Sequence, residues 1–176
     1  MAAAAALLLG GHTPYRQWVV YRRKHLLIGC HRADPRTYEL AQRAVLQLVQ
    51  HLPSSRARVA RAPNAGRLAS LLGTEQMEVA ILSPADAAAM VSGAGGFEPY
   101  GPIALRLLTP IADRLLVSRA EFPARHAWLV AGALVGTPLA LAPAPEIDHG
   151  VPWHVGSRAF LNDEPEPSGE PEAVHE

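Results

Sequence analysis

The feature that most constrains this chain is a repeated pattern: a short apolar run that gives way to a helix cap and a proline. His25-Leu26-Leu27-Ile28-Gly29-Cys30 leads to Asp34-Pro35, and Met77-Glu78-Val79-Ala80-Ile81-Leu82 leads to Ser83-Pro84. An aspartate or serine at the N-cap accepts from the first free N–H groups of a helix, and proline suits the first helical position. Each unit therefore reads as a strand turning into a helix. Strands alternating with helices build a mostly parallel sheet with helices on its faces, and such sheets bind ligands beyond the carboxyl ends of their strands. Here those ends are residues 31–36 and 83–86.

The rest of the chain extends the pattern. Leu40, Ala41, Ala44, Val45, Leu48, Val49 and Leu52 recur at helical spacing behind Asp34-Pro35, and Pro53-Ser54-Ser55 ends the run. Residues 57–62 alternate arginine with small apolar residues, as a partly exposed strand would. Pro63-Asn64-Ala65-Gly66 predicts a turn, and Leu68, Leu71 and Leu72 a second helix closed by Gly73. The unbroken apolar run of residues 79–82 predicts a strand covered on both faces. Gly93-Ala94-Gly95-Gly96 reads as a flexible loop. Residues 103–109 and 114–118 read as two strands around Pro110, and residues 123–135 as a fourth helix. A Pro/Ala-rich extended connection follows over 138–145, then a short helix around Phe160.

Charge divides the chain. Asp163, Glu164, Glu166, Glu170, Glu172 and Glu176 form an acidic tail without Lys or Arg, and its repeated Pro and Glu predict disorder over 162–176. The preceding residues keep ten acids against sixteen bases. That excess suits an anionic partner, but no basic stripe is interleaved with aromatics, so nucleic acid is not an expected partner. Ala2 to Leu9 is an apolar run of eight residues, too short to span a bilayer, which takes about 20. Residues 1–24 are thus either the remnant of a signal or anchor segment, tethering the protein to a membrane, or an alanine-rich leader.

Several chemistries lack their residues. Cys30, the single cysteine, ends an apolar run and reads as a buried thiol. The eight histidines show no pair at metal-ligand spacing. There is no nucleophile elbow and no phosphate-binding loop of the Gly-rich Lys/Ser type. The expectation is a protein that is not an enzyme and carries neither metal nor cofactor.

The order of segments resembles the TAXI family of solute-binding proteins, the extracytoplasmic receptors of certain TRAP transporters, and most of all its membrane-anchored members. The resemblance runs over residues 18–161. Trp18 to Tyr21 precedes the first strand, and Thr37-Tyr38-Glu39-Leu40-Ala41 lies where the family has a tyrosine in its first helix. Asn64-Ala65-Gly66-Arg67-Leu68 lies at a small-residue loop and helix start. Gly73 to Leu82 gives a glycine, a polar step, an acid and a buried strand. Val151-Pro152-Trp153-His154-Val155-Gly156-Ser157 resembles the closing segment. Two departures stand out: Cys30-His31-Arg32-Ala33-Asp34-Pro35 replaces a glycine-rich turn, and the region matches one lobe of a clamshell rather than two.

The resemblance implies a periplasmic-binding-protein-like α/β lobe of three layers over residues 25–161. It further implies a periplasmic or extracytoplasmic location and a TRAP-type permease as partner. Three loops would converge on a small organic acid or amino acid: His31, Arg36, Thr37 and Tyr38 from the first, Asn64 and Arg67 from the second, and Ser83 from the third. Arg36 or Arg67 would clamp a carboxylate, while Tyr38, Asn64 and Ser83 would donate hydrogen bonds. Asp34, as a carboxylate cap, would oppose an anion at the first helix. The alternative is an interaction or assembly module, in which the open lobe docks onto another protein.

Overall fold

A computed structural model describes residues 24–140 and 149–168. The leader, most of the Pro/Ala-rich connection and the last eight residues of the tail lie outside them. Five strands, β1 (Leu27–His31), β2 (Arg58–Ala62), β3 (Val79–Leu82), β4 (Leu105–Ile111) and β5 (Arg114–Arg119), form one sheet in the order β2-β1-β3-β5-β4. The helices are α1 (Pro35–His51), α2 (Ala65–Gly73), α3 (Pro84–Ser92), α4 (Ala124–Leu134) and α5 (Val155–Leu161).

The chain is α/β, as expected, but the sheet is mixed rather than mostly parallel. β1 pairs in parallel with β2 and β3, whereas β5 runs antiparallel to β3 and β4. The cause is local. Only Ala112 and Asp113 separate Ile111 from Arg114, its partner in the ladder, and a parallel return would need a crossover of a dozen residues or more. Ala112 takes the left-handed conformation (φ 51°) that tight hairpins require. Pro110, read as the divider between the two strands, lies inside β4 opposite Leu115. Its missing N–H is tolerated there because β4 is the last strand of the sheet.

Helices cover both faces. On one, Leu40, Ala41, Ala44 and Leu48 of α1 and Val130 and Leu134 of α4 pack against Ile28, Cys30, Val79, Ile81 and Leu116. On the other, Leu68 and Leu72 of α2 and Ala87 and Met90 of α3 pack against Ala80, Leu82, Leu115 and Val117. All four residues of β3 are buried, which explains its unbroken apolar run. The glycine stretch after α3 is ordered rather than loose. Gly93 ends the helix in the left-handed region and Gly95–Tyr100 forms a 3-10 turn that buries Phe97.

The closing segment is held by many bonds. Leu107 N–H donates to the Pro152 carbonyl and His154 N–H to the Leu107 carbonyl, both at 2.8 Å, which adds a short stretch of chain to β4. The buried His154 caps α5: its Nδ1 accepts from Gly156 N–H (3.1 Å) and its Nε2–H donates to the Phe122 carbonyl (2.8 Å). Gly156 must be glycine, because a Cβ there would lie 1.9 Å from the Ala124 carbonyl oxygen. The tail, read as disordered from Asn162, continues in place to residue 168. Trp128 Nε1–H donates to the Glu164 carbonyl and Arg125 pairs with Glu166.

Candidate functional site

β1, β2 and β3 run the same way, so their carboxyl ends share one edge of the sheet, where α1, α2 and α3 begin. β1 is flanked by strands whose connections leave in opposite directions from it. In open α/β sheets ligands bind at such a point. All seven residues singled out from the sequence lie along this edge, but the structure uses them in different ways.

At the start of α1 the polar groups satisfy one another. Asp34 Oδ1 accepts from Arg36 N–H (3.0 Å), and its Oδ2 accepts from Arg114 Nε (2.9 Å) across from the β4–β5 hairpin. Burial works to raise the Asp34 pKa, but the Arg114 guanidinium and two backbone donors outweigh it and hold the carboxyl below its ordinary value. Arg36, expected as a carboxylate clamp, is engaged by Glu39 (2.8 Å) and Asp113 (3.2 Å). Its guanidinium is already shared between two carboxylates. Thr37 is fully buried; its hydroxyl donates to the Asp34 carbonyl (2.7 Å) and accepts from His31 N–H (3.3 Å), pinning the end of β1. Tyr38 lies half-buried under Arg61, whose guanidinium carbon is 4.3 Å from the ring centre.

At the starts of α2 and α3 the predicted donors act as caps. Asn64 Oδ1 accepts from Arg67 N–H (2.8 Å) and Ser83 Oγ from Asp86 N–H (3.0 Å). Arg67 is exposed, and its guanidinium reaches only Ser70 Oγ, at 3.4 Å. Of the two arginines expected as clamps, Arg36 and Arg67, it is the one not held by a carboxylate.

His31 differs from all of these. β1 extends one residue beyond the predicted strand, so His31 pairs with Ala62 in the ladder and is only 4% exposed. Neither ring nitrogen has a hydrogen-bond partner. Side chains alternate along a strand, and Gly29, two residues earlier, faces Leu68 and Met77. The imidazole therefore lies on the α2–α3 face of the sheet, between the ends of β2 and β3.

Cys30 points to the other face, where its thiol contacts the Ala60 carbonyl and burial, partly offset by Arg61, pushes it up to about 11. Such a thiol is not a nucleophile at neutral pH. Among the described residues no group of three or more His, Cys, Asp or Glu is placed to hold a metal ion, and no helix is long and apolar enough to cross a membrane. A shallow depression between Leu72, Ile103, Arg119 and Glu121 lies away from all seven residues, and its arginine is held by the Leu72 carbonyl, Glu75 and Glu121.

Sequence reasoning missed Asp113 and Arg114, which lock the hairpin tip to α1. No local signal could have found them, because the pairing joins residues about 80 positions apart through the sheet order. The run Ala112-Asp113 between two apolar strands was the only trace. In comparisons with known proteins, no family model and no curated protein matches this chain.

Proposed function

We propose that this chain is a solute-binding protein of the TAXI type reduced to one lobe, which presents a small organic acid or amino acid to a TRAP-type permease on the extracytoplasmic side of a membrane. The observation that carries the reading is the convergence of three strand ends and three helix N-termini on one edge, with a buried imidazole left unsatisfied among them. A carboxylate is the natural occupant of such an edge, because opening N–H groups and the positive ends of helix dipoles favour negative charge. The site sits at α2 and α3, since Asp34 and its arginines fill the start of α1.

A second reading is a protein-interaction or assembly module built on the same lobe. It is favoured by the number of expected ligand contacts already used internally, namely Arg36 in ion pairs and Asn64 and Ser83 in caps. Native mass spectrometry of the protein gently purified from its host separates the two. A bound mass of a few hundred daltons or less supports the solute reading. A stoichiometric protein partner with no small molecule overturns it in favour of assembly.

A further inference from the structure

Burying an imidazole with neither nitrogen paired is costly, because its lost hydrogen bonds to water are not replaced. Native proteins leave few such groups, and each calls for an explanation, such as an ordered water, an ion or a functional role. His31 is in that position, and its neighbourhood defines what would complete it. On one side β2 ends at Ala62 and α2 starts after Asn64; on the other β3 ends at Leu82 and α3 starts after Ser83. Within α2, Arg67 and Leu68 N–H are already capped by Asn64; within α3, Asp86 and Ala87 N–H are capped by Ser83. By position, the N–H groups of Ala65, Gly66 and Ala85 have no intrahelical acceptor, and Pro84 has none to offer. The surroundings are thus rich in donors, and a neutral imidazole contributes one more.

We infer that the His31 ring and the opening N–H groups of α2 and α3 form a seat for the carboxylate of a small acid, with His31 as its buried anchor. This rests on the solute-binding reading above and deepens it: of the seven contacts expected there, it makes His31 the buried anchor. The charges nearby select a singly charged group. Arg67 on α2 is available to it, whereas Asp86 in the first turn of α3 opposes a multiply charged anion such as phosphate. Arg61 is turned to Tyr38 on the opposite face, and Arg36 and Arg114 are held by Asp34, Glu39 and Asp113. The turns on either side of His31 are exposed at Pro63, Asn64, Pro84 and Ala85, so the approach to the ring lies between them.

The test uses the full chain with three probes: acetate, succinate and L-glutamate. Binding is followed by calorimetry and by the ring nitrogen signals of histidine in NMR, with His31 identified by its loss in His31→Gln. The expected result is saturable binding of at least one acid that shifts the His31 ring signals. Affinity should fall at least tenfold in His31→Phe, a variant expected to remain folded because it removes unsatisfied polar atoms from an apolar site. Circular dichroism checks that fold. An acid that binds the wild type and both variants equally, leaving the His31 signals unmoved, overturns the anchor while the solute reading stands. No binding of any of the three probes, together with a small molecule of another class found in the native protein, also overturns the carboxylate seat and leaves the solute reading intact. If neither the probes nor a native small molecule is bound, both fail together.

Discussion

Among the described residues two histidines are buried, and they are alike only in burial. His154 is 2% exposed and uses both ring nitrogens, one as the cap of α5 and one as a donor to the Phe122 carbonyl. His31 is 4% exposed and uses neither. The structure accounts for both nitrogens of the His154 ring and leaves those of His31 open. Around His154, Pro152, Gly156 and Ser157 each have a packing or hydrogen-bonding partner within the fold. These contacts hold the segment against β4 and α4 by the fold's own bonds. Around His31, the side chains of Thr37, Asn64 and Ser83 are satisfied within the fold and the ring is not.

The largest effect expected from breaking this contrast is on the closing segment. Gly156→Ala places a Cβ 1.9 Å from a backbone oxygen of Ala124. Backbone cannot yield as a flexible side chain does, so the variant should lose about 3 kcal/mol or more, read as a lower denaturant midpoint. His154→Phe comes next. It leaves the Phe122 carbonyl and Gly156 N–H buried without partners, for a loss of about 2–4 kcal/mol. His31→Phe should instead leave stability within about 0.5 kcal/mol of wild type or raise it, since no protein partner is orphaned. Equal losses in the two variants would mean that His31 is ordinary core.

The two histidines also divide in their response to pH. Desolvation lowers the pKa of His154 below its ordinary 6.5, with the Phe122 carbonyl opposing and Arg106 adding to the shift. Between the depressed folded value and 6.5 the unfolded chain binds more protons than the folded one, so stability rises with pH through that window. Stability from the neutral ring is fully present above pH 6.5 and is lost as the pH falls toward the folded value. Urea midpoints measured across pH 4–8 should show this slope in the wild type and a shallower one in His154→Phe. An unchanged slope would place the proton uptake on another group.

How much of this was legible in sequence follows the range of each interaction. The caps at Asp34, Asn64 and Ser83, the proline starts and the buried run of β3 were readable because cap, first turn and period lie within a few residues of each other. The reversed β5 was not, because a two-residue turn at Ala112-Asp113 carries no glycine to announce it, and Pro110 drew attention to the wrong place. The ion pairs of Asp34 with Arg114 and Arg36 with Asp113 depend on which strands become neighbours. The burial of His31 was hidden for the same reason. Its ring is enclosed because β1 extends one residue further than its apolar run and lies between two strands that follow it in sequence.

The start of α1 offers a test of intermediate size. Asp34 joins the helix cap to the hairpin through Arg114, with both side chains largely shielded from solvent. Asp34→Ala removes cap and ion pair together and should lose about 1–2 kcal/mol. With the Asp34 pKa held below 3.8 in the folded state, its contribution is present above that pH and lost as the pH falls through the lower folded value. Solute affinity should not fall, because this helix start is already filled by the chain's own carboxylate. A loss of affinity in Asp34→Ala would move the site toward α1.

The smallest stability effect and the sharpest functional one should coincide at Arg67. The side chain is exposed and makes one long contact with Ser70, so Arg67→Ala should change stability by no more than about 0.5 kcal/mol. Its backbone N–H, which Asn64 caps, is untouched by the substitution. If the acid sits against α2 and α3, the lost guanidinium should weaken it several-fold at low salt, and added salt should shrink the difference because this arginine is open to water. His31→Phe should behave in the opposite way, with a loss of affinity that persists at high salt because the contact is buried. Calorimetric affinities for succinate at low and high ionic strength, compared across the two variants, test this directly. The same salt dependence in both would mean that His31 and Arg67 contact the ligand from equally exposed positions, and the contrast between a buried anchor and a surface clamp would be lost.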